Sequence, residues 1–381
     1  MTKLLSFDVE TSIINKGDPY HPDNRLVQVG FYEPATDLYT LFYKDKIDID
    51  CINKILSQSV LVGANLKFDL AWLERIGVDT RKATIYDVQL AEFIISNQSK
   101  IMPSLEDMAV KYEVGHKIDT IKLNYWDKGI DTWFIPEEEL TTYLKEDLRL
   151  TAEVFKQQEV ILKETRRWNL FRLQCMDLPV LNNMEWNGIP FDKEESILSG
   201  ENLTGNIEEI TASILHYSKC PNFNCGSGDH ISCLLYGGTI KHEYRVPIGV
   251  YKSGIKLGQP RNKVFTEDFP QPRLVTPLKG SELKKEGYWS TDEQTLTSLK
   301  PPTKAIRELI QNILALSKLE KLQKTYYFGI PKLMEEKGWG GNLIHGRFNQ
   351  TVARTGRLSA SEPNQQNFDP RLRELCKSSY E

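Results

Sequence analysis

The stretch "KLLSFDVETS", Lys3 to Ser12, constrains the fold more than any other part of the chain. Leu4, Leu5, Phe7 and Val9 give it the apolar, β-favouring content of a buried strand. Side chains alternate across a strand, so residues two apart share a face, roughly 6–7 Å apart along the chain. Asp8 and Glu10 therefore point the same way from a segment that otherwise belongs to a core. Unpaired buried charge is costly. Either cations neutralise the pair, or that face opens into a cleft, or both.

The following segments predict the elements around this strand. "RLVQVGFYEP" and "DLYTLFYKD" read as two more strands of a meander, joined by a turn at 33–37. "SVLVGANLKFDLAWLERIG" reads as a strand running into an amphipathic helix, with Leu66, Leu70 and Leu73 inward and Asp69 beside that stripe. "IPEEELTTYLKEDLRLTAEVFKQQEVIL" predicts a long helix. Pro136 suits its first position, and Glu137, Glu138 and Glu139 favour the positive end of its dipole. Tyr143 and Asp147, at i and i+4, share one face of it.

A domain boundary is expected near 166–169, dividing the chain into 1–165 and 166–381. Beyond it, "LQCMDLPVLNNMEWNGIPFDKEE" reads as a helix ended by Gly188, then a new helix capped by Asp192 with Glu195. Residues 237–290, rich in Gly, Pro and Lys, read as a loop-rich insertion with hairpins. A long amphipathic helix follows, with Ile306, Ile310, Ile313, Leu316 and Leu319 inward.

Charge is distributed unevenly. Residues 1–165 carry 19 Lys and Arg against 28 Asp and Glu, whereas 301–381 carry 13 against 8. An acidic front and a basic tail suit an acid-rich site followed by a segment that meets phosphates. The 6 cysteines form no regular framework, which argues for reduced thiols. No signal peptide and no apolar run of about 18 residues is evident, so no membrane partner and a cytoplasmic location are expected.

Asp8, Glu10, Asp69 and Asp147 thus come from one strand and two helices, each at a position facing inward. A buried arginine could explain any one of them, but four converging carboxylates repel unless cations join them. Oxygen ligands without His or Cys suit Mg²⁺ or Mn²⁺ rather than zinc. Two such ions activate a water and stabilise the leaving oxygen of a phosphodiester. Tyr143, one helical turn from Asp147, can orient that water.

In order and spacing, "FDVET", "NLKFD" and "YLKED" resemble the three motifs of the proofreading 3′–5′ exonucleases that use four acids and a tyrosine. The resemblance implies an α/β RNase H-like domain, a mixed sheet flanked by helices, over 1–165. It assigns Asp8 to both metals, Glu10 and Asp147 to the first, Asp69 to the second, and Tyr143 to the attacking water. Asn65 matches the residue just upstream of the second-motif acid. Phe68 and Val9 stand where many members have Tyr and Thr.

"VLNNMEWNGIPFD", "FNCGSGDHISCLLYGG", "YWSTDEQTL", "LEKLQKTYY" and "RFNQTVARTGRLSASEPNQQNFDPRLREL" resemble the region between exonuclease and palm of the family A DNA polymerases, bacterial and phage. This implies a mainly α-helical partial thumb over 166–381. Arg357 matches an arginine reaching into the minor groove, Asn364 and Gln366 match polar residues that meet the duplex, and Arg347 and Arg354 are basic neighbours. Minor-groove acceptors are shared by correct base pairs, so such contacts check pair shape.

The family's first palm aspartate would follow Glu381. The resemblance therefore implies proofreading and primer-gripping parts without a nucleotidyl-transfer site, either half of a split phage polymerase or a truncated chain. A second polypeptide carrying palm and fingers is the expected partner beside DNA. Phe348, Leu358, Phe368, Leu372 and Leu375 are expected to lack a full partner without it. A ribonuclease of the same superfamily and a non-catalytic DNA-binding subunit are the alternatives. "CPNFNCGSGDHISC" offers Cys220, Cys225, His230 and Cys233, but their spacings fit no common zinc pattern. Asp87 reads as a helix cap.

Overall fold

A computed structural model describes residues 3–99, 101–250, 252, 254 and 257–378. Its largest sheet has five strands, β1 (Lys3–Thr11), β2 (Leu26–Glu33), β3 (Leu38–Tyr43), β4 (Ser59–Gly63) and β5 (Thr84–Asp87), in the order β3-β2-β1-β4-β5. The first three form the expected antiparallel meander, and β4 and β5 run parallel to β1. Around the sheet lie α1 (Ile49–Gln58), α2 (Leu66–Arg75), α3 (Val88–Ile95), α4 (Leu105–Lys111), α5 (Thr120–Asn124), α6 (Glu137–Glu164) and α7 (Trp168–Asn187). This mixed sheet with flanking helices is the α/β RNase H-like arrangement.

Alternation along β1 positions everything that follows. Leu5, Phe7 and Val9 join the main core with Leu61, Leu70 and Trp72, and Phe7 stacks on Phe31 at 5.1 Å. The even residues turn toward α6. Ser6 Oγ donates to the carbonyl of Leu148 at 2.5 Å, Asp8 pairs with Gly30, and Glu10 pairs with Gln28. Gln28 Nε2 in turn donates to Thr141 Oγ1 of α6 at 2.7 Å. Gly30 lets the helix lie close: a Cβ there would stand 2.8 Å from Leu148 and 2.9 Å from Leu144.

The chain forms two compact units, Met1–Lys193 with Ile330–Glu381, and Glu194–Gly329. This division differs from the expected break near 166–169. The reason is α7, whose Phe171, Cys175 and Leu178 enter the same core as β1. The C-terminal segment also returns to this unit. β6 (Ile189–Pro190) pairs with β9 (Leu343–Ile344), and Phe191 bridges to Cys376. Lys67 on α2 and Glu185 on α7 form an ion pair of 2.5 Å. Both grip the backbone of Phe348, Lys67 donating to its carbonyl and Glu185 accepting its N–H.

The tail residues correct a further expectation. Phe368, Leu372 and Leu375 are buried within this chain, at 5%, 0% and 7% exposure, while Phe348 and Leu358 are half-buried. The tail's pairing with β6 and Phe191 accompanies the burial of Phe368, Leu372 and Leu375.

The second unit is built from α8 (Lys193–Asn202, from its second residue), α9 (Thr204–Leu215), α10 (Gly228–Tyr236), α11 (Glu293–Ser298) and α12 (Lys304–Glu320). Ile306, Ile310, Ile313 and Leu316 of α12 share a core with Leu234 and Leu235 of α10. Within the loop-rich insertion lies one long hairpin, β7 (Gly238–Val250) with β8 (Pro260–Gln271). No helix among the described residues is long and apolar enough to cross a membrane.

Gly30→Val should lower stability by about 1–3 kcal/mol, the usual cost of overpacking. Denaturant unfolding measures it, and an unchanged midpoint would mean that α6 does not press on β2 at this position.

Candidate active site

The even face of β1 and the inner face of α6 bring three carboxylates together. Asp8, Glu10 and Asp147 each present an oxygen within 4.8 Å of the other two. Glu10 and Asp147 are buried, at 6% and 3% exposure, and Asp8 is half-buried. Asp69 is not one of these three but lies beside Asp8, whose charge acts on it. β4 pairs with β1 only through Ser6↔Val62, then leads into α2. The Val9 N–H beyond that point finds Asp69 Oδ1 instead, at 3.1 Å. Tyr143 lies one turn before Asp147, buried, its ring edge-on to Trp126 at 5.7 Å.

Crowding controls the electrostatics. Burial, then the charge of Asp147, pushes the Asp8 carboxyl up to about 7. Burial and the neighbouring acids hold Glu10 and Asp69 well above the usual carboxylate range. Burial also raises Asp147, against the pull of Lys117. Burial with the charges of Asp147 and Glu10 pushes the Tyr143 phenol upward. Its hydroxyl therefore stays protonated at neutral pH and can donate a hydrogen bond.

Lys117 is the residue that sequence reasoning missed. It sits in the loop between α4 and α5, and its Nζ lies 2.6 Å from Asp147 Oδ2. The same ammonium stands 5.3 Å from the centre of the Tyr143 ring. Glu106 of α4 fixes the loop by accepting the Lys117 N–H at 2.7 Å and meeting His116 at 2.9 Å. Burial works against the Lys117 charge, but Asp147, Tyr143 and Asp8 together outweigh it and hold the ammonium above its usual range. No local pattern marks this lysine, since it lies in an irregular loop far in sequence from Asp8, Glu10, Asp69 and Asp147.

The remaining predicted residues occupy other places. Asn65 precedes α2 with a left-handed backbone, φ 61°, and its side chain is exposed. Asp87 caps α3 through Leu90 N at 2.9 Å and also accepts Leu66 N at 2.7 Å, at the start of α2. Arg347 begins β10 (Arg347–Asn349), which pairs with β11 (Ser359–Ser361), and its Nε lies 3.8 Å from Glu362. Arg354, Arg357, Asn364 and Gln366 are exposed around that hairpin, and Gln366 donates to the Leu358 carbonyl at 3.2 Å. Among the described residues no hydrogen bond or ion pair joins these five to the four acids. Cys220, Cys225, His230 and Cys233 form no metal-binding group among the described residues. His230 Nδ1 instead accepts the Asn224 N–H at 2.9 Å.

The raised Asp8 gives a pH prediction for the chain in EDTA. An unfolded aspartate titrates near about 3.9, so the folded form binds this proton more tightly. That stabilisation is complete below about pH 4 and is lost as pH rises through about 7. Thermal midpoints should fall between pH 5 and 7.5, and Asp8→Asn should flatten the decline. Lys117→Met should deepen the loss at pH 7.5, by somewhat less than the roughly 3–5 kcal/mol typical of breaking a fully buried pair. Equal midpoints at both pH values would refute the crowding argument.

Comparison with known proteins bears on the same residues. Residues 1–163 match the 3′-5′ exonuclease family model, and residues 270–378 match that of DNA polymerase family A. DNA polymerase I of Streptococcus pneumoniae is 28% identical over 365 residues, covering 93% of this chain and 35% of that protein. The Borreliella burgdorferi DNA polymerase I is 26% identical over 379 residues, covering 96% and 35%. The chain thus spans about a third of the length of these relatives. The POL domain of Pol1 from M. smegmatis, solved with DNA primer-template and dNTP, superposes with a TM-score of 0.64 at 17% identity. That alignment covers 98% of this chain and 54% of the other, a likeness of fold. Together these matches support a 3′–5′ exonuclease domain followed by a segment of DNA polymerase family A, in a chain similar to the corresponding part of DNA polymerase I.

Proposed function

We propose that this chain removes nucleotides from DNA 3′ ends by metal-dependent phosphodiester hydrolysis, the proofreading step of a DNA-directed DNA polymerase. The observation that carries this reading is the convergence of Asp8, Glu10 and Asp147 oxygens within 4.8 Å. Asp147 Oδ1 is buried and finds no hydrogen-bond partner among the described residues. An all-oxygen cluster with an unused buried acceptor fits Mg²⁺ or Mn²⁺. Asp8, Glu10 and Asp147 would hold one ion, and Asp8 with Asp69 a second. When bound, such ions supply an activated water and neutralise charge on the leaving oxygen.

The protein's own groups do the rest. The Tyr143 hydroxyl, kept protonated by its surroundings, orients the water as a donor and does not remove its proton. Trp126 holds the ring in place. Lys117 brings a positive charge to the face where an anionic phosphodiester must approach, which offsets repulsion by the acids. Asn65, Arg347, Arg354, Arg357, Asn364 and Gln366 offer exposed or half-exposed polar groups for strand and duplex.

A second polypeptide carrying palm and fingers is favoured by one surface. Leu170, Leu173, Met176, Val180 and Met184 of α7 are 45%, 56%, 67%, 59% and 51% exposed, at helical spacing. Leu173→Glu with Met176→Glu should abolish co-purification of such a polypeptide, and retained co-purification would remove the support this face gives.

Asp8→Ala, Asp69→Ala or Asp147→Ala should each nearly abolish Mg²⁺-dependent release from 3′-labelled single-stranded DNA, and Tyr143→Phe should leave measurable turnover. Near wild-type hydrolysis by any of the three alanine variants would overturn the two-metal reading. Preference for RNA in the same assay would favour a ribonuclease, and no hydrolysis at all an accessory subunit. Arg357→Ala should weaken primer–template binding more than it slows cleavage of short single strands. Equal losses would place this segment at the exonuclease site instead.

A further inference from the structure

The β7–β8 hairpin lies outside both family matches over nearly its whole length, since these end at residue 163 and resume at residue 270. Its strands are 13 and 12 residues long. Only its root is anchored. Ile240 is 2% exposed in the core of the second unit, and Gln271 is buried while accepting the Lys219 N–H at 3.2 Å. From Glu243 outward, and back to Asp268, every described residue is exposed. Such a ribbon buries almost nothing against its own protein, so intramolecular packing does not explain its length.

Its charges are partitioned along its length. At the root, acids oppose bases across the strands: Lys241 pairs with Asp268 and His242 with Glu267. Beyond these pairs, residues 244–266 contain five bases, Arg245, Lys252, Lys256, Arg261 and Lys263, and no acid. This excess stands in a chain whose formal net charge is −4. Among the described residues Arg245, Lys252, Arg261 and Lys263 make no ion pair; Lys256 lies outside the described residues. Without an ion-pair partner among the described residues, these cations repel one another.

Aromatic side chains share this outer segment. Tyr244 and Phe265 oppose each other across the strands and stack at 5.8 Å. They are 42% and 37% exposed, and Lys263 Nζ stands 5.2 Å from the Phe265 ring centre. Exposed rings beside unpaired cations suit a phosphate polymer carrying sugars and bases. A two-stranded ribbon is also narrow enough to enter a major groove.

We propose that the outer part of this ribbon, residues 244–250, 252 and 257–266, is a nucleic-acid grip that holds DNA through phosphate contacts by Arg245, Lys252, Arg261 and Lys263. The Tyr244–Phe265 pair packs against the strand between them. The proposal rests on DNA being this chain's substrate. A duplex and an unpaired strand both present that chemistry, and the experiment separates them.

The test uses the full chain in EDTA, where affinity is read without hydrolysis. Fluorescence anisotropy with a primer–template duplex and with a single strand is compared for wild type and for Arg245→Glu, Lys252→Glu, Arg261→Glu and Lys263→Glu combined. Kd at 50 mM salt should rise at least tenfold, and the slope of log K against log salt should become shallower by about 3–4, roughly 0.7–0.9 for each of the four phosphates no longer neutralised. Weakening on the duplex alone assigns the ribbon to primer–template, and weakening on the single strand alone assigns it to the unpaired strand. Either result supports the grip. Unchanged affinity and slope on both substrates overturn it. A matching Gln set with an unchanged thermal midpoint guards against misfolding and should give the same direction with a smaller effect. Wild-type chain that binds both DNAs but hydrolyses neither with Mg²⁺ would reject the exonuclease reading and leave the ribbon result standing.

Discussion

Like charges held close under one helix set the terms for the first unit. β1 turns Asp8 and Glu10 to the same face, and α6 lowers Asp147 onto them. In bulk water such groups would separate, but here the strand ladder and the helix leave them no freedom to do so. The helix gains that proximity because Gly30 has no side chain where Leu144 and Leu148 lie. The carboxylates answer by taking up protons more readily, as the raised Asp8 shows, or by attracting a cation. Lys117 is the cation the chain itself supplies.

A second buried ion pair performs a structural task nearby. Lys67 and Glu185 join α2 to α7, and both also hold the backbone of Phe348. Burying such a pair is seldom a net gain over apolar packing. Its value here lies in register, because it ties a strand from the far end of the chain to the helix that carries Asp69. The pairing of Ile189 with Ile344 and the Phe191–Cys376 bridge extend the same closure. The polar residues of 347–366 are thereby attached to the exonuclease unit rather than to the helical one.

The helical unit follows the opposite logic. Its core is a conventional apolar one around α10 and α12, and its charges lie outside. The ribbon carries this furthest, with acids opposite Lys241 and His242 at the root and cations without acids beyond it.

Much of this was legible in the residues. Period-2 alternation marks β1 and its two acids, period-3.6 stripes mark α2, α6 and α12, and Gly188 marks the end of α7 at φ 65°. Local pattern suffices there, because each depends on neighbours within a few positions. Pattern did not reveal Lys117, whose loop has no period. Nor did it reveal that α7 joins the first core and the tail returns to the first unit, since any apolar face satisfies the same sequence rule whichever core receives it. The insertion's composition announced turns and lysines, but only cross-strand register separated paired charges from unpaired ones. The sequence by itself determined which side chains each strand and helix presents together. Tertiary structure decided which of those faces meet, because meeting is set by long-range packing that no window of residues contains.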